Sequence, residues 1–273
     1  MLGRLSSALS TTTTSSEIGD FLDRVYSHTT AATPTTSNTI TESSDLLAYP
    51  GHNQRPFVTL TYAQSLDGKI AGIDGQQLRL SGNQSMKMTH LLRARHDGIL
   101  VGIGTLLNDD PQLNGIVPIA NQPQPIVIDT SLRTPIDCKL IKNFRNQLGK
   151  QPWLICARSE VSLERRQELE NAGARGLDIE KVLEVCKLNG INKLMIEGGA
   201  AIISSILNQV LDNPILNILI VTVSPYMVGE GIGIKSSNID SLSLLRHLET
   251  KIMGLDAVFA YTTTKKEKQK DTN

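Results

Sequence analysis

Short unbroken apolar runs alternate along this chain with stretches in which apolar residues return every three or four positions. The runs predict strands at Phe57–Ala63, Gly98–Ile103, Pro125–Asp129, Trp153–Ala157 and Lys193–Ile196, and two longer ones at Ile215–Val223 and Lys251–Thr263. The periodic stretches predict helices at Asn83–His96, Glu160–Ala172, Ile179–Asn189 and Ala200–Val210, with Met88, Leu91 and Leu92 on one face of the first. Strand and helix in alternation specify an α/β fold, a mostly parallel central sheet with helices on both faces. Two long strands in succession near the C-terminus add an antiparallel edge.

The pattern fades at both ends. Of the first 45 residues, 20 are Ser or Thr, so residues 1–54 read as a largely disordered tail. One exception is Ile18–Tyr26, whose apolar residues at 18, 21, 22, 25 and 26 have helical spacing and suit docking on the domain surface. The ordered domain is expected over 55–263, followed by a charged tail at 264–273. A Ser/Thr-rich start faintly suggests mitochondrial transit, but Arg4 is its single Arg and Glu17, Asp20 and Asp23 follow soon after.

Charge narrows the function. With 27 basic and 27 acidic residues the net charge is zero, which argues against nucleic acid or a membrane surface as partner. No apolar run is long enough to span a membrane. Cys138, Cys156 and Cys186 are widely spaced and read as reduced thiols in a cytoplasmic protein, and the five histidines show no metal-binding spacing.

The candidate chemistry lies at strand ends. Leu194–Ile196 runs into Glu197, Gly198, Gly199 and the small residues Ala200 and Ala201, a junction that exposes helix N–H groups to phosphate. Gly102 and Gly104 form a second such junction; Thr105 and Asp109 share a helical face, and Pro111 pushes Asp110 out of the helix. Two glycine-rich strand ends in one sheet can face a common crevice. Ser65–Ile70, with Lys69, is either a plain Asp-Gly turn or the mouth of a site. Arg93, near a helix end, either caps it or reaches a phosphate. Asp129–Pro135, with Thr130 and Arg133, is either a turn or a ribose or phosphate contact. Arg158 and Ser159 suit either a 2′-phosphate or a helix cap.

In order along the chain, Tyr62–Ile70, Leu92–Gly98, Val101–Thr105, Asp109–Leu113, Asp129 with Arg133 and Pro135, Ile196–Gly199, and Ser224-Pro225 with Gly229–Gly231 resemble the riboflavin-biosynthesis reductase family, above all its stand-alone fungal and archaeal branch. The likeness spans roughly residues 55–262. It implies a dihydrofolate-reductase-like fold, a homodimer, NADPH as donor, and reduction of a phosphorylated ribosylamino-pyrimidine at C1′ of its sugar. By motif matching it assigns Ala63, Thr105, Asp109, Thr130 and Gly198–Ser205, including Gly199, Ala200, Ala201 and Ile202, to the cofactor. It assigns Arg93, Leu113 and Glu197 to the substrate; Glu197 is the best-placed carboxyl and so the candidate catalytic residue, and Lys69 is a further substrate-binding candidate at the mouth of the site. Gln77 and Arg79 stand where many bacterial relatives carry Ser and Trp, and Ile116 where they carry Arg. Arg79, Arg95 and Lys69 are candidates for that missing charge. Two rival readings are a reductase of this fold acting on dihydrofolate, disfavoured because residues 83–96 contain no acid, and a non-catalytic nucleotide-binding module.

Overall fold

The structure, a computed structural model, describes residues 13–28, 54–118, 121–157, 161–178, 182–209, 215–235 and 245–263. Helix α1 (Ser15–Ser27) comes first, then β1 (Phe57–Gln64), β2 (Lys69–Ala71), α2 (Asn83–Arg93), β3 (Gly98–Gly102) and α3 (Ile103–Asp109). They are followed by β4 (Gln124–Ile128), α4 (Lys139–Arg145), β5 (Trp153–Cys156), α5 (Leu163–Asn171), β6 (Arg175–Asp178) and α6 (Val182–Leu188). The chain closes with β7 (Lys193–Glu197), α7 (Ala200–Gln209), β8 (Ile218–Val223), β9 (Ile232–Gly233), β10 (Leu245–Met253) and β11 (Asp256–Thr263).

Nine strands form one sheet in the order β10-β11-β8-β1-β7-β3-β4-β5-β6. The seven from β8 to β6 are parallel, and β11 and β10 are antiparallel additions at the β8 edge. Side-chain alternation along each strand supplies two cores. Ile99, Val101, Val127, Met195, Ile218 and Ile220 pack with α1 to α5 on one face. Val58, Leu60, Leu100, Ile126, Leu194, Ile196 and Leu219 pack with α6 and α7 on the other. Strands covered on both faces have no reason to alternate apolar with polar, which is why they read as continuous runs.

The fold class expected from the pattern is the one observed, with local differences. The run Lys251–Thr263 is not one strand: Gly254, at φ 70°, turns it into the β10–β11 hairpin, with Met253 opposite Asp256. The first helix stops at Arg93 rather than His96, and Ile103 opens α3 instead of ending β3. The strand expected from Ile215 begins at Ile218. Strand β6, helix α4 and the small β2–β9 ribbon were not foreshadowed by the pattern. The outer ends of the helices expected at 160–172 and 179–189, most of both tails, and Arg158 and Ser159 lie outside the described residues.

Helix α1 is the Ile18–Tyr26 segment, and its position explains its sequence. Thr14 and Glu17 form a reciprocal cap: the Glu17 amide donates to Thr14 Oγ1 at 3.2 Å and the Thr14 amide to Glu17 Oε2 at 2.7 Å. Ile18, Phe21, Leu22 and Val25 are completely buried, packed toward α2 and β10. Tyr26 Oη lies 3.0 Å from Thr59 Oγ1 and 3.3 Å from His96 Nε2, while His96 Nδ1 lies 2.7 Å from the Leu92 carbonyl. Burial is the main reason the His96 pKa falls to about 4, so the imidazole is neutral in the fold. An unfolded imidazole, with its pKa near 6.5, takes up a proton first as pH falls, so this contribution is intact above about pH 6.5 and is lost between there and about pH 4. Thermal melts from pH 7 to pH 4.5 should show a steeper loss of Tm for the wild type than for His96→Gln. Equal slopes would remove His96 from the acid response.

Candidate active site

A cleft of about 670 Å³ opens at the carboxyl ends of β1, β7 and β3, where the strand order reverses. Its floor is Thr61, Tyr62 and Ala63 from β1, Val101 from β3, Glu197 from the end of β7 with Gly198 just after it, and Thr222 from β8. Met86, Thr89 and Arg93, one face of α2, make a wall, while Thr105, Asp109, Pro111 and Leu113 make another.

The two glycine junctions meet here, and the space between them is tight. A Cβ on Gly199 would come within 3.0 Å of Thr105 Oγ1. On Gly102 it would come within 2.8 Å of Ile202 Cδ1, and on Gly198 within 2.8 Å of Ile203 Cγ1. Helix α7 therefore seats directly on the β3–α3 turn only because those positions lack side chains. The same absence leaves backbone bare at the cleft edge, the arrangement that accepts a dinucleotide. Ala200, Ala201 and Ile202 form the first turn of α7, next to Gly199. Asp109 follows Thr105 by one turn, as expected, and burial raises its carboxyl pKa.

Arg93 and Glu197 are 104 residues apart in sequence and paired in the fold. Arg93 Nε donates to Glu197 Oε1 at 2.6 Å and Nη2 to Oε2 at 2.7 Å; Nη1 donates to the Asn114 carbonyl at 3.2 Å. Burial works against the Arg93 charge, but the Glu197 carboxylate outweighs it and the guanidinium pKa rises. The pair is the bidentate kind, which fixes both side chains at the cleft wall. Leu113 is buried beside it at φ 54°, and Asp110, before Pro111, also takes a left-handed backbone at φ 40°.

Other expected residues lie elsewhere. Lys69 is in β2 opposite Gly233; its neighbour Ile70 lines the cleft and Lys69 does not. Thr130 follows β4, off the cleft lining, in a turn organised by the buried Asp129, which accepts the amides of Arg133 and Thr134 and the Thr134 hydroxyl. Asp67 clasps two loops: Oδ1 accepts the Ser65 hydroxyl at 2.5 Å and the Val228 amide at 3.1 Å, and Oδ2 accepts the Gly229 amide at 2.7 Å. These bonds, the Ser65 one foremost, hold its pKa down at about 2. Sequence reasoning gave no role to Tyr62, whose phenol pKa burial raises to about 12, nor to Thr61, Thr89 and Thr222; the one sequence signal is that three of these four sit on or beside the strand ends that frame the glycine junctions.

Residues 56–259 match the family model of the RibD C-terminal domain. The 2,5-diamino-6-ribosylamino-4(3H)-pyrimidinone 5′-phosphate reductase of Saccharomyces cerevisiae is 38% identical over 183 residues, covering 64% of this chain and 74% of that protein. The reductase of the same name from Schizosaccharomyces pombe is 30% identical over 255 residues, covering 80% of this chain and 92% of that one. Among solved structures, the riboflavin biosynthesis reductase of Saccharomyces cerevisiae superimposes with a TM-score of 0.61 at 28% identity, over 84% of this chain and 93% of that chain. RibD of Acinetobacter baumannii gives a TM-score of 0.65 at 23% identity over 77% of this chain, which spans 58% of it, and shares the fold.

Proposed function

The chain belongs to the RibD C-terminal domain family, and on that premise we propose that it reduces the ribosylamino group of 2,5-diamino-6-ribosylamino-4(3H)-pyrimidinone 5′-phosphate to a ribitylamino chain, with NADPH as reductant. The observation that carries this reading is the Arg93–Glu197 pair beside the joined glycine junctions, a polar substrate wall next to bare backbone.

The junctions suit a dinucleotide, since Gly198, Gly199 and Thr105 bring bare backbone and a hydroxyl close together beside the cleft. Ala63, Thr105, Asp109, Gly198, Gly199 and the first turn of α7 would hold it, with Thr130 contributing from the neighbouring turn. When bound, NADPH supplies a hydride to C1′ of the opened sugar, an imine carbon, and the imine nitrogen takes a proton to become the secondary amine. The protein's part is orientation and exclusion of water. Glu197 accepts hydrogen bonds from the sugar hydroxyls or amine, Arg93 holds that carboxylate aligned through two bonds, and Leu113 closes the apolar side. Lys69 stands off the cleft lining, on the strand that carries Ile70. A homodimer in the cytoplasm completes the proposal. No helix among the described residues is long and apolar enough to cross a membrane.

Near-ultraviolet absorbance gives the test. Purified protein mixed with NADPH should show no decay until the ribosylamino-pyrimidine phosphate is added, and then a decay matched mole for mole by ribitylamino product. Tight NADPH binding without such decay would favour a non-catalytic module instead.

A further inference from the structure

The charges lining the cleft are unevenly spent. Its charged side chains are Arg79, Arg93, Asp109 and Glu197. Arg93 is committed to Glu197 through two bonds. Arg79 has no carboxylate partner among the described residues; its Nη2 donates at 2.8 Å to Oδ1 of Asn83, a neutral and exposed acceptor. A phosphate dianion entering this cleft therefore finds one cation whose charge is not already answered.

We propose that Arg79 anchors the phosphate of the substrate, an inference that rests on the reductase reading above. Its location separates that phosphate from those of the cofactor. Arg79 also borders a second hollow, of about 450 Å³, formed with Pro225, Tyr226 and the β10–β11 turn from Met253 to Asp256. That places it toward the β8–β11 side of the sheet, whereas the glycine junctions follow β3 and β7. Strand β11 is three spacings from β7 and four from β3, about 14 and 19 Å at the usual strand separation. A dinucleotide seated on the junctions keeps its pyrophosphate at the far end, and a ligand lying along α2 brings its own phosphate to Arg79.

Competing anchors are occupied or misplaced. The adjacent N-terminus of α2 is already taken by Asp256, whose Oδ2 accepts from the Gly82 amide at 2.8 Å and the Ser85 hydroxyl at 2.6 Å. Arg95 points the other way, to Asp23 at 2.9 Å and the Gly19 carbonyl at 3.2 Å on α1. Lys69 does not line the cleft, and Ile116 has no charge to give. Arg79 loses only an exposed neutral contact when it turns to a phosphate, and gains a two-pronged charged one.

The test compares NADPH-dependent turnover of the phosphorylated substrate with that of its dephosphorylated counterpart. In the wild type the ratio of kcat/KM values favours the phosphorylated compound. Arg79→Gln should shrink that ratio by about tenfold to a hundredfold, the scale of hydrogen bonds to a charged group. Arg79→Lys should restore part of it, and the KM for NADPH should hold in both variants. An unchanged ratio, or a loss appearing in the KM for NADPH, overturns the assignment. A wild type that turns over neither compound overturns the reductase reading itself, and this one with it.

Discussion

Glu197→Gln should lower kcat/KM for the ribosylamino-pyrimidine phosphate by about 10²-fold while NADPH binds almost as before. The amide keeps the shape of the carboxylate but not its charge, so Arg93 is left cationic in a site where its side chain is only 14% exposed. The lost interaction is a hydrogen bond from the substrate to a charged group, worth about 1.5–3 kcal/mol, and about 3 kcal/mol is about two decades in rate. NADPH titration followed by protein fluorescence, alongside initial rates, would check it. The role given to Glu197 fails if NADPH binding collapses while whatever complex remains turns over normally.

The second large effect is on stability. Phe21→Ala should unfold about 10 °C earlier, because a fully buried Phe truncated to Ala costs about 3–5 kcal/mol and each kcal/mol shifts Tm by about 2–4 °C in a domain this size. Leu255→Ala, on an 82% exposed side chain at the β10–β11 turn, serves as the control and should melt with the wild type. Calorimetry that finds Phe21→Ala as stable as the control would mean that α1 is not seated on the sheet as described.

The two effects share an anatomical cause. Helix α1 packs against α2, and α2 delivers Arg93 to the cleft, so the N-terminal helix braces the wall that holds the ion pair. Arg95, two residues beyond Arg93, is tied to α1 through Asp23 and the Gly19 carbonyl. A Phe21→Ala protein that still folds should for that reason show a raised KM for the pyrimidine in steady-state assays.

Legibility in the sequence followed locality. Strands β1, β3, β4, β5 and β7 are buried on both faces, so their identity is written in consecutive residues. Of strand β10 only the Lys251–Met253 end shows in the pattern, because it is the sheet edge: Arg246, His247, Glu249 and Thr250 break the apolar run, and a register shift between His247 and Glu249 interrupts what alternation remains. The glycine junctions were readable because a strand ending in glycine needs no distant partner to be recognised. That they adjoin, with Gly199 facing Thr105, depends on β7 returning between β1 and β3, which spacing does not encode. Arg93 and Glu197 were each singled out as substrate contacts, yet their mutual pairing comes from the same return. The turn holding Asp129 and the one holding Asp67 have compositions that serve ligands or loops equally well. Only the bonds of Asp129 to residues 133 and 134, and of Asp67 to residues 228 and 229, reveal that both carboxylates are already employed.

The Asp67 clasp has an implication for the two loops it joins. With its pKa held down at about 2, the carboxylate stays ionised well into the acid range, so protonation does not undo the stitch from the loop after β1 to the loop before β9. The loop after β1 and the loop before β9 are thereby held to one another, while the Asp110–Leu113 segment of the cleft wall carries two residues at left-handed backbone angles that most side chains resist.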